Sequence, residues 1–294
     1  MNIKTKWIEK MKDLEAKGEV VPGTADCVFK SLLQLDDLKG ILVYLLSEIT
    51  GLDKSFIYEN LKFTNTEIPK ERYTDKGQIT DLLIDIENLR INLEMCQRLD
   101  EGNLNKNNTY HHNLAGKRLY IKENYQNVKK VIQICFNKED SLKKFGNENI
   151  VEFKMRSKNG KYCLDETFIN YQINLEKITE KYYNEEKLSR LEKILLLLTL
   201  NKKEDLKEVS KDDKELMVME ERIEEFSQNP EIVGLYDEEK VREEVNRINI
   251  EAAEAKGSKQ KQIEIAKNMI SMGMDPETIS RATALSKKEI EELS

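Results

Sequence analysis

Residues 81–97 read DLLIDIENLRINLEMCQ, two apolar runs with acids at their ends and a short polar turn between them. Strand side chains point alternately to opposite faces. The alternation through Asp81, Leu83 and Asp85, and again through Ile91, Leu93 and Met95, predicts a β-hairpin turning over 87–90. Asp81 near the start of one strand and Glu94 near the end of the next then lie almost opposite each other. Two carboxylates so placed repel unless a proton or a divalent cation sits between them. The hairpin thus reads as half of a metal site, although the same spacing also fits two strand-end acids facing water.

On the N-terminal side, a first helix over 3–17 is broken by Pro22 and Gly23. Apolar residues three and four apart over 26–33 and 39–50 predict two helices packed on a core, the second stopped by Gly51. A strand over 56–68, ending at Glu67, and a polar connection over 69–77 lead into the hairpin. On the C-terminal side, the Asn-rich stretch after Gln97 reads as a loop, 109–122 as a helix, and 129–136 as a buried strand on its β-branched density. Short strands over 152–156 and 171–175 extend the sheet at its edge. This order predicts an α/β fold, a mixed sheet flanked by helices.

From about 185 the chain is helical almost throughout. One stripe holds Leu188, Leu191, Ile194, Leu195 and Leu198, another Leu216, Met219, Ile223 and Phe226, and both read as core. Residues 238–262 read as a charged spacer helix with a weak point at Gly257. Asp275 ahead of Pro276, and Ser286 three residues ahead of Glu289, cap two short helices in a helix-turn-helix-like unit. Its last helix, KKEIEELS, ends acidic, which speaks against it as a DNA reader. Three regions result: 1–180 for the sheet domain, 181–256 for helices and spacer, and 257–294 for the terminal unit.

At 294 residues, 39% hydrophobic and 35% charged, the chain can bury a sizeable core under a highly charged surface. No run of 18 apolar residues exists, so no membrane span is expected. The amphipathic N-terminus lacks the apolar centre of a signal peptide, which leads to the expectation of a cytoplasmic protein. Cys27, Cys96, Cys135 and Cys163 show no CxxC pairing, and only His111 and His112 accompany them, which argues against a zinc cluster or a disulfide framework. Net charge is −7, yet 98–158 holds 13 basic and 7 acidic residues. That window offers either a surface for phosphates or simply a solvated Lys-rich face. Tyr110, His111 and His112 are assigned no chemistry.

Asp26 with Phe29-Lys30, Glu67, Asp81, INLEM over 91–95, Tyr110 in TYHHNLAG, Tyr125, VIQICF, and the ending IEIAKNMISMGMDPETISRATALSKKEIEEL follow one another along the chain. In these segments the chain resembles the PD-(D/E)XK nuclease family transposases, a group related to the Rpn recombination-promoting nucleases. The resemblance implies a restriction-endonuclease-like mixed sheet flanked by helices, followed by an all-helical C-terminal region. It also implies magnesium- or manganese-dependent hydrolysis of DNA phosphodiester bonds. Asp81 becomes the metal-binding aspartate and Glu94 the second acid of the E-x-K signature, with Asp26 as a further ligand from the N-terminal helix. The signature's Lys position is held by Cys96, a thiol that cannot supply the ammonium or amide that orients water. Gln97 follows, but strand alternation aims it at the opposite face unless a bulge intervenes; Lys117 or Arg118 could supply a displaced cation. The expected partner is DNA, and a double-strand cut calls for a homodimer. The alternative is a catalytically silent relative that binds DNA or a protein.

Overall fold

A computed structural model describes residues 3–68, 77–116, 129–164 and 168–293, with the side chains of 250, 251, 254 and 255 left aside. In order, the chain forms α1 (Ile3–Ala16), α2 (Asp26–Leu32), α3 (Lys39–Thr50), α4 (Lys54–Asn60), β1 (Leu61–Thr64), β2 (Glu67–Ile68), β3 (Gln78–Ile79), β4 (Leu82–Ile86), β5 (Leu89–Cys96) and α5 (Glu101–Ala115). Then come β6 (Lys130–Asn137), β7 (Ile150–Lys154), β8 (Phe168–Asn174), α6 (Leu175–Tyr183), α7 (Arg190–Thr199), α8 (Lys203–Ser210), α9 (Lys214–Ser227), α10 (Pro230–Ser271), α11 (Pro276–Thr283) and α12 (Lys287–Glu291).

Six strands form a mixed sheet in the order β1-β4-β5-β6-β8-β7, while β2 and β3 make a separate ribbon. The pairs β1/β4, β4/β5 and β7/β8 are antiparallel, whereas β5/β6 and β6/β8 are parallel. The hairpin turns over Glu87 and Asn88, Ile86 facing Leu89 and Glu87 holding a left-handed φ of 48°. Ile84, Ile91, Leu93, Ile132, Ile134, Phe136 and Ile173 fill one face of the sheet and share a core with the apolar sides of α2, α3, α7, α8 and α9. The capping box of Ser189 and Glu192 starts α7, and Gly51, with φ 74°, ends α3.

Several expectations change. The segment after residue 53 is helical before it is extended: the Asp53 carboxylate accepts from the Phe56 amide (2.9 Å) and starts α4, so the strand begins at Leu61 and Glu67 lies outside the main sheet. The Asn-rich loop is the first half of α5, whose N-cap Asp100 accepts from Asn103 N (2.8 Å). Of the two short strands placed at the sheet edge, β8 is internal and only β7 is at the edge.

The chain divides into two compact units, Met1–Tyr236 and Asp237–Ser294. The boundary expected near 180 falls inside the first, because α7 to α9 are buried in the core that the sheet occupies. α10 runs unbroken through Gly257, and residues 237–271 of it lie in the second unit. There Ala266, Ile279, Leu285 and Ile290 form a small core, and Asp275 and the Ser286–Glu289 capping box start α11 and α12. Among the described residues no helix is long and apolar enough to cross a membrane.

Candidate active site

The antiparallel register pairs Leu82 with Leu93, and one step further sets Asp81 across from Glu94. Odd residues of β5 enter the main core, so Asn92, Glu94 and Cys96 point to the other face, beneath α5. That face is polar although buried. The sheet register lines up Asn92, Gln133 and Asn170 in one row, and Glu94, Cys135 and Gln172 in the next. Amides join them: Asn92 Nδ2 donates to Glu94 Oε1 (3.1 Å) and Gln133 Oε1 (3.3 Å), and Gln133 Nε2 donates to the Asn107 carbonyl (3.0 Å). Leu114 of α5 closes a small apolar cluster with Ile68, Leu83 and Val131 alongside.

Asp81 is fixed from two directions. Its Oδ2 accepts from the Met95 amide (2.8 Å) and its Oδ1 faces Lys30 Nζ of α2 (3.2 Å). Burial pushes its carboxyl up, opposed first by the Lys30 charge. Glu94 is fully buried, and its pKa is pushed up to about 8 by burial and then by the charge of Asp81, against the pull of Lys106. Its Oε2 has no hydrogen-bond partner among the described residues, and Lys106 Nζ stands 3.9 Å away.

Of the remaining expected site residues, Asp26 does not join the pair directly. Lys30 binds Asp26 Oδ1 at 2.7 Å and so stands between the two aspartates. Among the described residues no three His, Cys, Asp or Glu side chains converge to hold an ion. Cys96 lies on the same face as Glu94 but is buried, its Sγ accepting from Asn107 Nδ2 (2.8 Å), and burial pushes the thiol up to about 12. It is an inert group. Gln97 falls just beyond β5 and donates from Nε2 to the Thr24 carbonyl (2.8 Å), in the loop before α2. His111 is buried and stacked on Phe168 (3.7 Å between ring centres), and His112 is exposed. Lys117, Arg118 and Tyr125 lie outside the described residues.

Lys30, until now only part of the matched Asp26 segment and without a role, and Lys106, not singled out beforehand, complete the surroundings. For Lys30 burial disfavours the charge but Asp26 and Asp81 outweigh it; for Lys106 Glu94 and Asp81 do the same, and both stay charged. A cap signal, Asp100 three residues before Asn103, was present in the sequence and would have placed Lys106 on a helix. A divalent cation fits the acid pair: the orphaned Glu94 oxygen and the mutual repulsion are what such an ion relieves. Asp81 and Glu94 are the residues that would hold it.

A family model described as PD-(D/E)XK nuclease family transposase matches residues 23–253. The chain belongs to that family. In this transposase-family chain the match takes in the whole sheet, both acids and α2 to α9. A second model, the C-terminal HTH domain of the Rpn/YhgA-like nuclease family, matches residues 259–294, the end of α10 with α11 and α12. A nuclease domain followed by an HTH domain implies DNA binding. No curated protein and no solved structure matches the chain.

Proposed function

We propose that the protein is a magnesium- or manganese-dependent DNA endonuclease of the mobile-element type that hydrolyses phosphodiester bonds, with Asp81 and Glu94 holding the metal. The observation that carries this is the buried pair itself, facing across β4 and β5 with one Glu94 oxygen unpartnered. Bound there, the ion supplies Lewis acidity to the phosphate and lowers the pKa of water. The chain's own residues set the stage. Met95 N and Lys30 orient Asp81, Asn92 orients Glu94, and the basic excess over 98–158 attracts the DNA backbone by charge. Cutting both strands takes two such sites, hence a homodimer.

The buried thiol at position 96 supports a second reading, a silent relative that binds DNA without cutting it. Supercoiled plasmid with magnesium separates the two. Nicking that disappears in Asp81→Ala and in Glu94→Ala is the expected result; cleavage unaffected by both removes the site assignment, and binding without cleavage favours the silent relative.

A further inference from the structure

We propose that Lys106 supplies, from α5, the ammonium that β5 lacks at Cys96, and that it faces the scissile phosphate beside the acid pair. The inference rests on the nuclease reading above. Three observations converge on it. The register of α5 on the sheet is locked one residue away, where Asn107 donates to Cys96 Sγ (2.8 Å) and its carbonyl accepts from Gln133 (3.0 Å). The helix is therefore pinned on the very thiol that stands in the lysine position, and Lys106 is delivered beside it. Its Nζ lies 3.9 Å from Glu94 Oε2, too long for a hydrogen bond yet close enough for attraction. Finally, the Lys106 side chain is 43% exposed while Glu94 is 0% exposed, so the amine spans from the buried acid to the surface where DNA arrives.

Among the described residues a second neighbouring ammonium is committed elsewhere, since Lys30 bridges Asp26 and Asp81. Lys106 Nζ lies 5.2 Å from the Tyr110 ring centre, a contact that holds the charge in place without occupying its N–H donors with an anion. In the hydrolytic step the water oxygen bonds to phosphorus and gives its proton to solvent, while the bond from phosphorus to the leaving sugar oxygen breaks and that oxygen takes a proton from solvent water to become a hydroxyl. Lys106 stays an ammonium throughout and stabilises the charge that builds on the phosphoryl oxygens.

The test compares full-length variants for plasmid nicking with magnesium and, separately, for DNA binding by fluorescence anisotropy with calcium. Lys106→Met is expected to lower the cleavage rate by about 10²-fold, the usual loss for one such donor, while DNA affinity stays nearly unchanged. Cys96→Lys added to Lys106→Met is expected to restore cleavage, because the ammonium returns from the strand. Lys106→Met that cuts like the parent, in a protein that Asp81→Ala inactivates, overturns the role of Lys106 and leaves the nuclease reading standing. A fall in affinity as large as the fall in rate also overturns it, making Lys106 a plain backbone anchor. A parent that does not cut while Cys96→Lys does shows that the ammonium was missing, and a parent and Cys96→Lys both inert remove the nuclease reading together with this one.

Discussion

Glu94 makes the acid pair measurable without DNA. In the folded, metal-free protein its pKa is about 8, above that of an ordinary glutamate, so between about pH 4.5 and 8 the native state binds the proton that the unfolded chain releases. Stability of the metal-free protein therefore falls as pH rises through that window. Glu94→Gln is expected to flatten the fall and to raise the melting temperature at pH 8, read by thermal denaturation in chelator; a variant that melts lower at pH 8 contradicts it. Because the ion takes the place of that proton, magnesium is expected to raise the melting temperature more at pH 8 than at pH 6, and not at all in Asp81→Asn. His111 behaves in the opposite sense. Burial pushes it down to about 4 and its Nε2 faces the Val131 carbonyl (3.2 Å), so the unfolded chain takes up a proton first and stability is lost as pH falls from about 6.5 toward 4. His111→Phe, which keeps the stacking on Phe168, is expected to remove that acid limb from the same melting curves. The two acids were legible because strand alternation places them by arithmetic. Lys30 and Lys106 were not, since their contacts cross 51 and 12 residues of chain and depend on how α2 and α5 dock.

Among the elements, α5 matters most for the site. Asp100→Ala removes its N-cap and is expected to cost about 1 kcal/mol in urea unfolding, with a loss of nicking larger than that stability change accounts for, because Lys106 and Asn107 ride on the first turns. Asparagine has poor helix propensity and reads as loop, and the Asp100 cap together with tertiary contacts such as Gln133 with the Asn107 carbonyl makes the segment helical. The misreading of α4 has the reverse cause: Phe56, Ile57 and Tyr58 look like a strand, while the Asp53 cap and the burial of Ile57 alone among them mark a helix. The period-2 runs of β4 and β5 were legible because one face of each is wholly apolar, and β6 was legible from its β-branched density. α1 rests on the core through partly buried Met11 and Leu14, and Trp7 packs against the backbone of Gly234, where an added Cβ meets the indole ring. Gly234→Ala is expected to push the single tryptophan outward, seen as stronger acrylamide quenching of its fluorescence; unchanged quenching rules the contact out.

At the scale of the whole molecule, the two family matches meet between residues 253 and 259, inside the unbroken α10. Removing 259–294 is expected to leave a chain that still melts cooperatively, since the first unit has its own core, but that binds DNA more weakly in an anisotropy titration. Unchanged affinity would exclude the terminal unit from DNA contact. The starts of α11 and α12 were readable from their caps, Asp275 and Ser286, whereas the union of α7 to α9 with the sheet was not, because an apolar helical stripe does not say which surface it covers. The amide-lined underside of the sheet carries a consequence for heredity. Asparagine and aspartate codons differ by one base, and Asn92 touches Glu94 at 3.1 Å, so one point mutation sets a third carboxylate in the cradle. A lineage bearing this sheet lies a single transition away from a differently charged centre.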